Sequence, residues 1–261
     1  MQYDVFRQRR NQRLIFFGVL IALTYGSMVL TAFDPVAGLA AIPRAFIWGA
    51  SNFIPDESAM RRLPRILERL QETVLVSISS ATVASALGLV VAVLGANTTR
   101  PHPWFSIPTR AIASIFRNVD VSVWALVLLF SFGQSGYTGF FALFFVTFGF
   151  IVRVMIETID EVGTEPVEAL RASGASYMAT ISQSVIPACL PQLISWVLYM
   201  IETNIRSATL IGILTGTGIG FAFDLYFKSF NYGAAGLVVF VIVITVLLIE
   251  ALSNTIRRSI L

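Results

Sequence analysis

Ionisable side chains are scarce in this chain, so the few that fall inside apolar runs draw the eye first. Glu202 and Arg206 stand four residues apart in the run Glu202-Thr203-Asn204-Ile205-Arg206-Ser207-Ala208-Thr209. That spacing puts both on one helix face, where they can pair. Charges within a membrane span are costly, and they face a bundle interior or an aqueous cavity. Two chemistries follow: a structural ion pair that locks helices, or a cation that meets an anionic solute, with Asn204 as its polar neighbour. Counted from Leu190, Arg206 lies about 24 Å along a helix, which sets it toward the outer mouth of its span. Arg117 and Asp120, three residues apart, admit the same two readings, and Arg117 also suits an anchor at the inner headgroups. Gly216-Thr217-Gly218-Ile219-Gly220 offers backbone N–H groups to an anion. No strand precedes it, so a nucleotide role is implausible and a flexible turn between spans is the plainer expectation.

Other chemistries lack their parts. His102 is the one histidine, held between Pro101 and Pro103, and Cys189 is the one cysteine. A histidine-based metal cluster, a Ser/His/Asp triad and an internal disulfide are therefore not expected. We expect no catalytic residue, no metal and no cofactor in the chain itself. Lys228 is the sole lysine beside seventeen arginines, and these form no stripe, so nucleic acid is not an expected partner.

The elements that must position these residues are membrane spans. Hydrophobic residues make up 56% of the 261 positions and charged residues 13%, where a soluble domain carries about 25% charged. The apolar residues come in blocks of span length, roughly 20 residues. They do not alternate, so a β-barrel is not indicated. Six spans are expected, near residues 14–33, 73–96, 119–132, 139–159, 190–214 and 233–252, the third preceded by a helical stretch from Thr109. The fold class is all-α and polytopic. Arg7, Arg9, Arg10 and Arg13 hold the N-terminus in the cytoplasm. The first apolar run is too long for a signal peptide and lacks a cleavage site, so it reads as a retained anchor. The loops then alternate, with 97–108, 160–189 and the C-terminal tail inside. Residues 34–72 fall outside despite Arg44, Arg61, Arg62, Arg65 and Arg69. Leu63, Ile66, Leu67 and Leu70 have helical spacing, which predicts an amphipathic helix on the outer surface ahead of the second span. Two regions follow: 1–71, an anchor with an outer amphipathic segment, and 72–261, the membrane core. Small residues at Ser77, Ser80, Ala84, Gly88 and Ala92 permit a close helix contact, within the chain or across a dimer. Phe140, Phe141, Phe144, Phe145 and Phe148 read as lipid-facing or packing residues.

The inside loop at 160–189 is the most informative stretch. Pro166 suits a first helical turn, Gly174 a left-handed position just past the end, and Glu165 and Glu168 the positive end of the dipole. The spacing predicts a short helix over 166–173, roughly 12 Å long, and a second helix from Tyr177 until Pro187 interrupts it. Glu168-Ala169, then Gly174, then Ile186-Pro187 resembles the EAA loop of ABC importer permeases. Leu170 stands where that pattern has its second alanine, and Ser184-Val185-Ile186-Pro187 replaces Ile-x-Leu-Pro. Glu72-Thr73, Ala96-Asn97, Arg117-Asn118-Val119-Asp120, the Glu202 to Thr209 run and the glycine-rich turn extend the resemblance to phosphonate importer permeases. Asp120 without a preceding proline and a turn with fewer glycines depart from that family.

The resemblance implies a permease subunit coupled to a separate ATPase dimer, which binds ATP and Mg, through Glu168 at the ATPase surface, Ala169 packed at the interface, Gly174 allowing the turn, and Pro187. The chain has no G-x-x-x-x-G-K-[ST] loop of its own. It further implies a second permease copy, a substrate-binding protein outside, a bacterial inner-membrane location with both termini cytoplasmic, and a phosphonate, phosphite or phosphate cargo. A permease for methionine or another small solute shares the loop. A secondary transporter would call for inverted repeats, and a membrane enzyme for clustered histidines or acids; neither is found.

Overall fold

Apolar runs of this length leave the backbone no partner but itself, and the helix is the single-segment solution. A computed structural model describes residues 5–260 as twelve α-helices with no strand among them. Residues 1–4 and 261, the outer limits of the two expected regions, lie outside the described residues. The chain divides after Asn52 into two units, and residue 72 falls inside a continuous helix.

The first unit holds α1 (Val5–Leu30) and α2 (Pro35–Asn52). The Asp34 carboxylate accepts the Val36 and Ala37 N–H groups at 2.9 and 3.1 Å. With Pro35 in the first turn, this Asp-Pro start was a legible helix signal within a segment read only as outer. No residue of α2 is buried, and the large side chains of α1, Leu14, Phe16 and Ile21 among them, are exposed.

The second unit runs through α3 (Glu57–Met60), α4 (Leu63–Gly95), α5 (Ser106–Asn118), α6 (Val121–Phe132), α7 (Gly136–Val162), α8 (Glu165–Ala172), α9 (Tyr177–Thr180), α10 (Ile186–Thr215), α11 (Gly218–Lys228) and α12 (Tyr232–Ile260). Asp56 caps α3 through the Ala59 N–H at 2.8 Å and the Ser58 hydroxyl at 3.0 Å. Those bonds hold its carboxyl below the usual carboxylate value. Among the described residues, five helical segments are long and apolar enough to cross a membrane, and the α5–α6 pair, bent by 92°, makes a sixth if it counts as one span.

Helix α7 is the axis of this unit and packs on α4, α5, α6 and α10. Ser77, Ser80, Ala84, Gly88 and Ala92 of α4 are all buried. A Cβ on Gly88 would stand 2.9 Å from Ile151 Cγ2 of α7, so the small-residue stripe serves a contact within the chain. The phenylalanines of α7 meet Phe116 of α5 and Trp124 of α6, with Phe145 centred 4.9 and 4.8 Å from them. These rings fill the corner of the bent pair.

Four expectations are corrected. The amphipathic stretch 61–72 is no separate surface helix. It begins the 33-residue α4, and Ile66, Leu63 and Leu70 pack on Ile219, Tyr226 and Ala234 of α11 and α12, because an apolar face buried on protein needs no membrane surface. The third span is broken at Asn118–Val121, where Asp120 takes the Ser122 N–H at 2.8 Å and caps α6. Pro187 does not interrupt its helix. A π-helical turn, Ile181–Val185, precedes it and the Ile186 N–H reaches the Ile181 carbonyl, a wider register that makes room for the proline ring. Finally, residues 218–228 form α11 rather than a flexible loop. Its signal was Asp224 and Lys228, paired at 2.7 Å.

The α10–α11 crossing depends on Gly220, where an added Cβ would lie 1.9 Å from the Thr209 carbonyl oxygen. Gly220→Ala is expected to cost about 3 kcal/mol or to prevent folding. Gly49→Ala, with nothing within 4 Å, should leave the melting temperature unchanged or higher. Fluorescence-detected size exclusion of heated samples checks both.

Candidate functional site

The expected short helix is α8, and its construction follows its sequence. Pro166 lies in the first turn, Glu165 and Glu168 are the acids of that turn, and Arg171 is in the last. Gly174 follows at φ +86°, with the Gly174 N–H on the Arg171 carbonyl and the Ala175 N–H on the Leu170 carbonyl, both at 3.0 Å. These are the left-handed cap bonds that glycine allows. Val167 alone in α8 is buried, among Ile159, Val162, Tyr177, Ile181 and Val185. Glu168, Ala169, Ala172 and Ser173 are exposed. So α8 is held by one side chain, keeps a free face, and touches the π-helical turn and α9 that lead into α10. Pro187 sits in the first turn of α10.

Asp160, a residue that sequence reasoning missed, secures the same end of the bundle. Its carboxylate accepts the Asn97 amide at 2.9 Å, and the Thr98 N–H at 3.1 Å and hydroxyl at 3.2 Å. Arg110 stands 3.5 Å away. An acid at the close of an apolar span, facing a loop that opens Asn-Thr-Thr, was the available signal.

Helix α10 carries the charged set. Asn204 is buried and joins three helices, donating to Thr147 Oγ1 at 3.0 Å and Ser80 Oγ at 3.4 Å. Ser80 and Thr147 lie near the middle of α4 and α7, so Arg206 belongs near mid-bundle rather than at the mouth. Glu202, 9% exposed, pairs with Arg206 at 3.0 Å and stands 3.6 Å from Arg257 Nη2 of α12. Arg257 Nε is buried without a hydrogen-bond partner, so Glu202 is the counter-ion for two guanidinium groups. Arg206, with its side chain 49% exposed, keeps a face free. Arg257 was missed because nothing in sequence ties residue 257 to 202. Arg117 and Asp120 are not brought together: the break at Asn118 separates them, and no ion pair joins them among the described residues.

Two N–H groups of the glycine-rich turn are taken up within the chain. Glu72 Oε2 accepts the Gly218 N–H at 3.2 Å and Thr73 Oγ1 accepts the Ile219 N–H at 2.8 Å. Gly218 has φ +61°, and a Cβ there would strike Thr73 Oγ1 at 2.3 Å. No group of three or more metal-ligating side chains is present among the described residues.

Known proteins resemble this chain. A family model described as the binding-protein-dependent transport system inner membrane component matches residues 84–260. The phosphate-import permease protein PhnE of Mycolicibacterium smegmatis is 29% identical over 241 residues, 92% of this chain and 45% of that protein. The phosphite transport system permease protein PtxC of Stutzerimonas stutzeri is 28% identical over 252 residues, 97% of this chain and 89% of that one. The putative cryptic phosphonate transport system permease protein PhnE2 of Escherichia coli is 34% identical over 117 residues, 45% of this chain and 96% of that one. The chain thus spans less than half the length of the mycobacterial relative. An inward-facing MetNI methionine ABC transporter shares the fold, with a TM-score of 0.68 at 22% identity over 79% of this chain and 99% of that one.

The shared counter-ion yields a test. Glu202→Gln should destabilise the chain by about 2 kcal/mol, because two guanidinium groups lose their anion. Adding Arg257→Met should recover part of that loss. A double-mutant cycle on melting temperature reads the coupling, expected near 1 kcal/mol.

Proposed function

The chain belongs to the family of binding-protein-dependent transport system inner membrane components, the permease subunits of ABC importers, and we propose that it moves phosphonate or a related phosphorus oxyanion (phosphite, phosphate) inward at the expense of ATP hydrolysed by a separate subunit. The observation that carries the coupling is α8, a short helix that buries one valine and offers Glu168 and Ala169 to a partner. Three relatives named for phosphate, phosphite and phosphonate support the cargo.

In this reading α8 lies in the cytoplasm, as do both termini, and sits in a cleft of an ATPase dimer that binds ATP and Mg. Closure of the ATPases displaces α8. The displacement passes through the π-helical turn into α10, which carries Glu202, Asn204 and Arg206. Arg206 is the pathway cation with a free face, and Glu202 limits its charge so that an anion is held weakly and released. Arg117 and Asp120 act separately, Asp120 as the cap at the break and Arg117 as a headgroup anchor. A second copy of the chain completes the pathway, and a substrate-binding protein delivers cargo from outside. Chemistry on ATP stays with the partner, so this subunit is not an enzyme.

The test is ATP hydrolysis by the complex of permease, ATPase and binding protein, with and without methylphosphonate. Methylphosphonate should stimulate the wild-type complex at least about fivefold, and Glu168→Arg should abolish the stimulation while size exclusion still shows a folded permease. An active complex indifferent to both methylphosphonate and Glu168→Arg would remove the coupling helix and the cargo together.

A further inference from the structure

The arginine run at the start of α4 is the sequence feature that neither the fold nor the coupling helix absorbs. Helix α4 spans 33 residues, roughly 50 Å. Its last turns share a core cluster with Val167 of α8, and its first turns share another with Ile219 and Tyr226 of α11. Arg61, Arg62, Arg65 and Arg69 therefore gather at the end of the bundle opposite α8, where arginine is disfavoured by topology if α8 is cytoplasmic. They also load the positive end of a long helix dipole, with no acid in that first turn. Arg62, Arg65 and Arg69 follow one another at three and four residues, the spacing at which like charges repel.

Two of the four are answered by the fold. Arg69 pairs with Glu72 at 2.9 Å and lies 5.8 Å from the Phe221 ring centre. Arg62 lies over the Tyr226 ring at 5.2 Å, a cation–π contact. Arg61 and Arg65 are exposed and have no carboxylate at ion-pair distance among the described residues. Arg61, Arg62, Arg65 and Tyr226 line a groove of about 510 Å³ between α4 and α11, which Pro64, Leu225 and Ser229 complete without any acid. A smaller cavity shares Arg65 and Tyr226 and does include an acid, Glu68.

We propose that this groove binds a phosphate-type oxyanion, with Arg61 and Arg65 as its guanidinium ligands. Their planar forks match the paired oxygens of such an anion. Bound anion relieves the repulsion and suits the dipole. Pro64 and Leu225 give an apolar wall for a carbon substituent, which a phosphonate carries and phosphate does not. Resting on the transport reading, the groove is an outer waiting site that concentrates anionic cargo before the pathway. The same chemistry also fits the phosphate of a lipid headgroup, so the experiment separates the two sources.

The chain, purified lipid-free in nonionic detergent, is titrated with methylphosphonate and, separately, inorganic phosphate by ³¹P NMR line broadening. Binding is expected in the wild type and in Arg61→Lys/Arg65→Lys, and should weaken at least about tenfold in Arg61→Gln/Arg65→Gln. All three must elute and melt alike. Equal binding by the glutamine variant and the wild type overturns the site. Native mass spectrometry of membrane-extracted protein supplies the lipid arm. An anionic phospholipid kept by the wild type, lost from the glutamine variant and not displaced by methylphosphonate makes the headgroup the ligand and overturns the waiting role. In the reconstituted complex, the glutamine variant should raise the KM for methylphosphonate uptake about tenfold with kcat retained; an unchanged KM also overturns the waiting role. A wild-type complex that takes up no phosphorus oxyanion, beside arginine-dependent binding in the NMR titration, sinks the transport reading and leaves the groove standing.

Discussion

Inside an apolar solvent a polar side chain has to be answered from within the protein, and Asn204 of α10 is answered by two other helices at once. Its amide reaches Thr147 of α7 and Ser80 of α4, and all three residues are buried. Such bonds are individually modest in membranes, roughly 0.6 kcal/mol on average. Their value is positional. Asn204 sets the register of α10 against the α4–α7 pair, and that register decides where Glu202 and Arg206 stand. The α4–α7 pair can be gripped in this way because serine, alanine and glycine line the face of α4 that α7 meets. A larger residue at Gly88 would collide with Ile151, and the hydroxyl of Ser80 would lose its reach.

The same need for self-satisfaction explains the irregular backbone. Each break from a straight span has a named donor or acceptor that answers it. Asp120 caps α6 after the 92° bend, Glu72 and Thr73 cap α11, and a π-helical turn carries the chain up to Pro187. Lipid could not supply any of these partners. These breaks lie where another helix faces them, and α11 packs on α10 so closely that only glycine fits at Gly212 and Gly220.

This pattern also marks how far the sequence was legible. The spans were readable because composition and length decide them. So was α8, whose proline, acids and glycine each act within a single turn. The bend at Asn118 and the merging of 61–72 into α4 were not, because each is settled by a partner more than a hundred residues away or on a neighbouring helix, and α11 left only the spacing of Asp224 and Lys228 as its signal. Ile66 reads as amphipathic surface until Ile219 and Ala234 are set against it. Among the candidate site residues, local ones such as Gly174 were placed where they were expected. Arg257, which completes the environment of Glu202, carries no local signal at all. The Arg117 and Asp120 pairing failed for the converse reason: their spacing fits a helix that tertiary packing breaks.

The light anchoring of α8 contrasts with the density of bonds around Asp160 beside it. Four groups from the α4–α5 loop and α5 converge on that one carboxylate, whereas α8 depends on Val167. Under the proposed reading this difference is functional. A helix that transmits the movement of a partner needs low resistance to displacement and a stiff connection onward, and local stability is where proteins differ most from place to place. Here the frame that holds α4, α5 and α7 is pinned, and α8 leans on the π-helical turn and α9, which lead directly into α10. Motion entering at α8 therefore reaches α10 through the π-helical turn, while Val167 alone ties α8 to the pinned frame, and α10 is the helix that carries Glu202, Asn204 and Arg206.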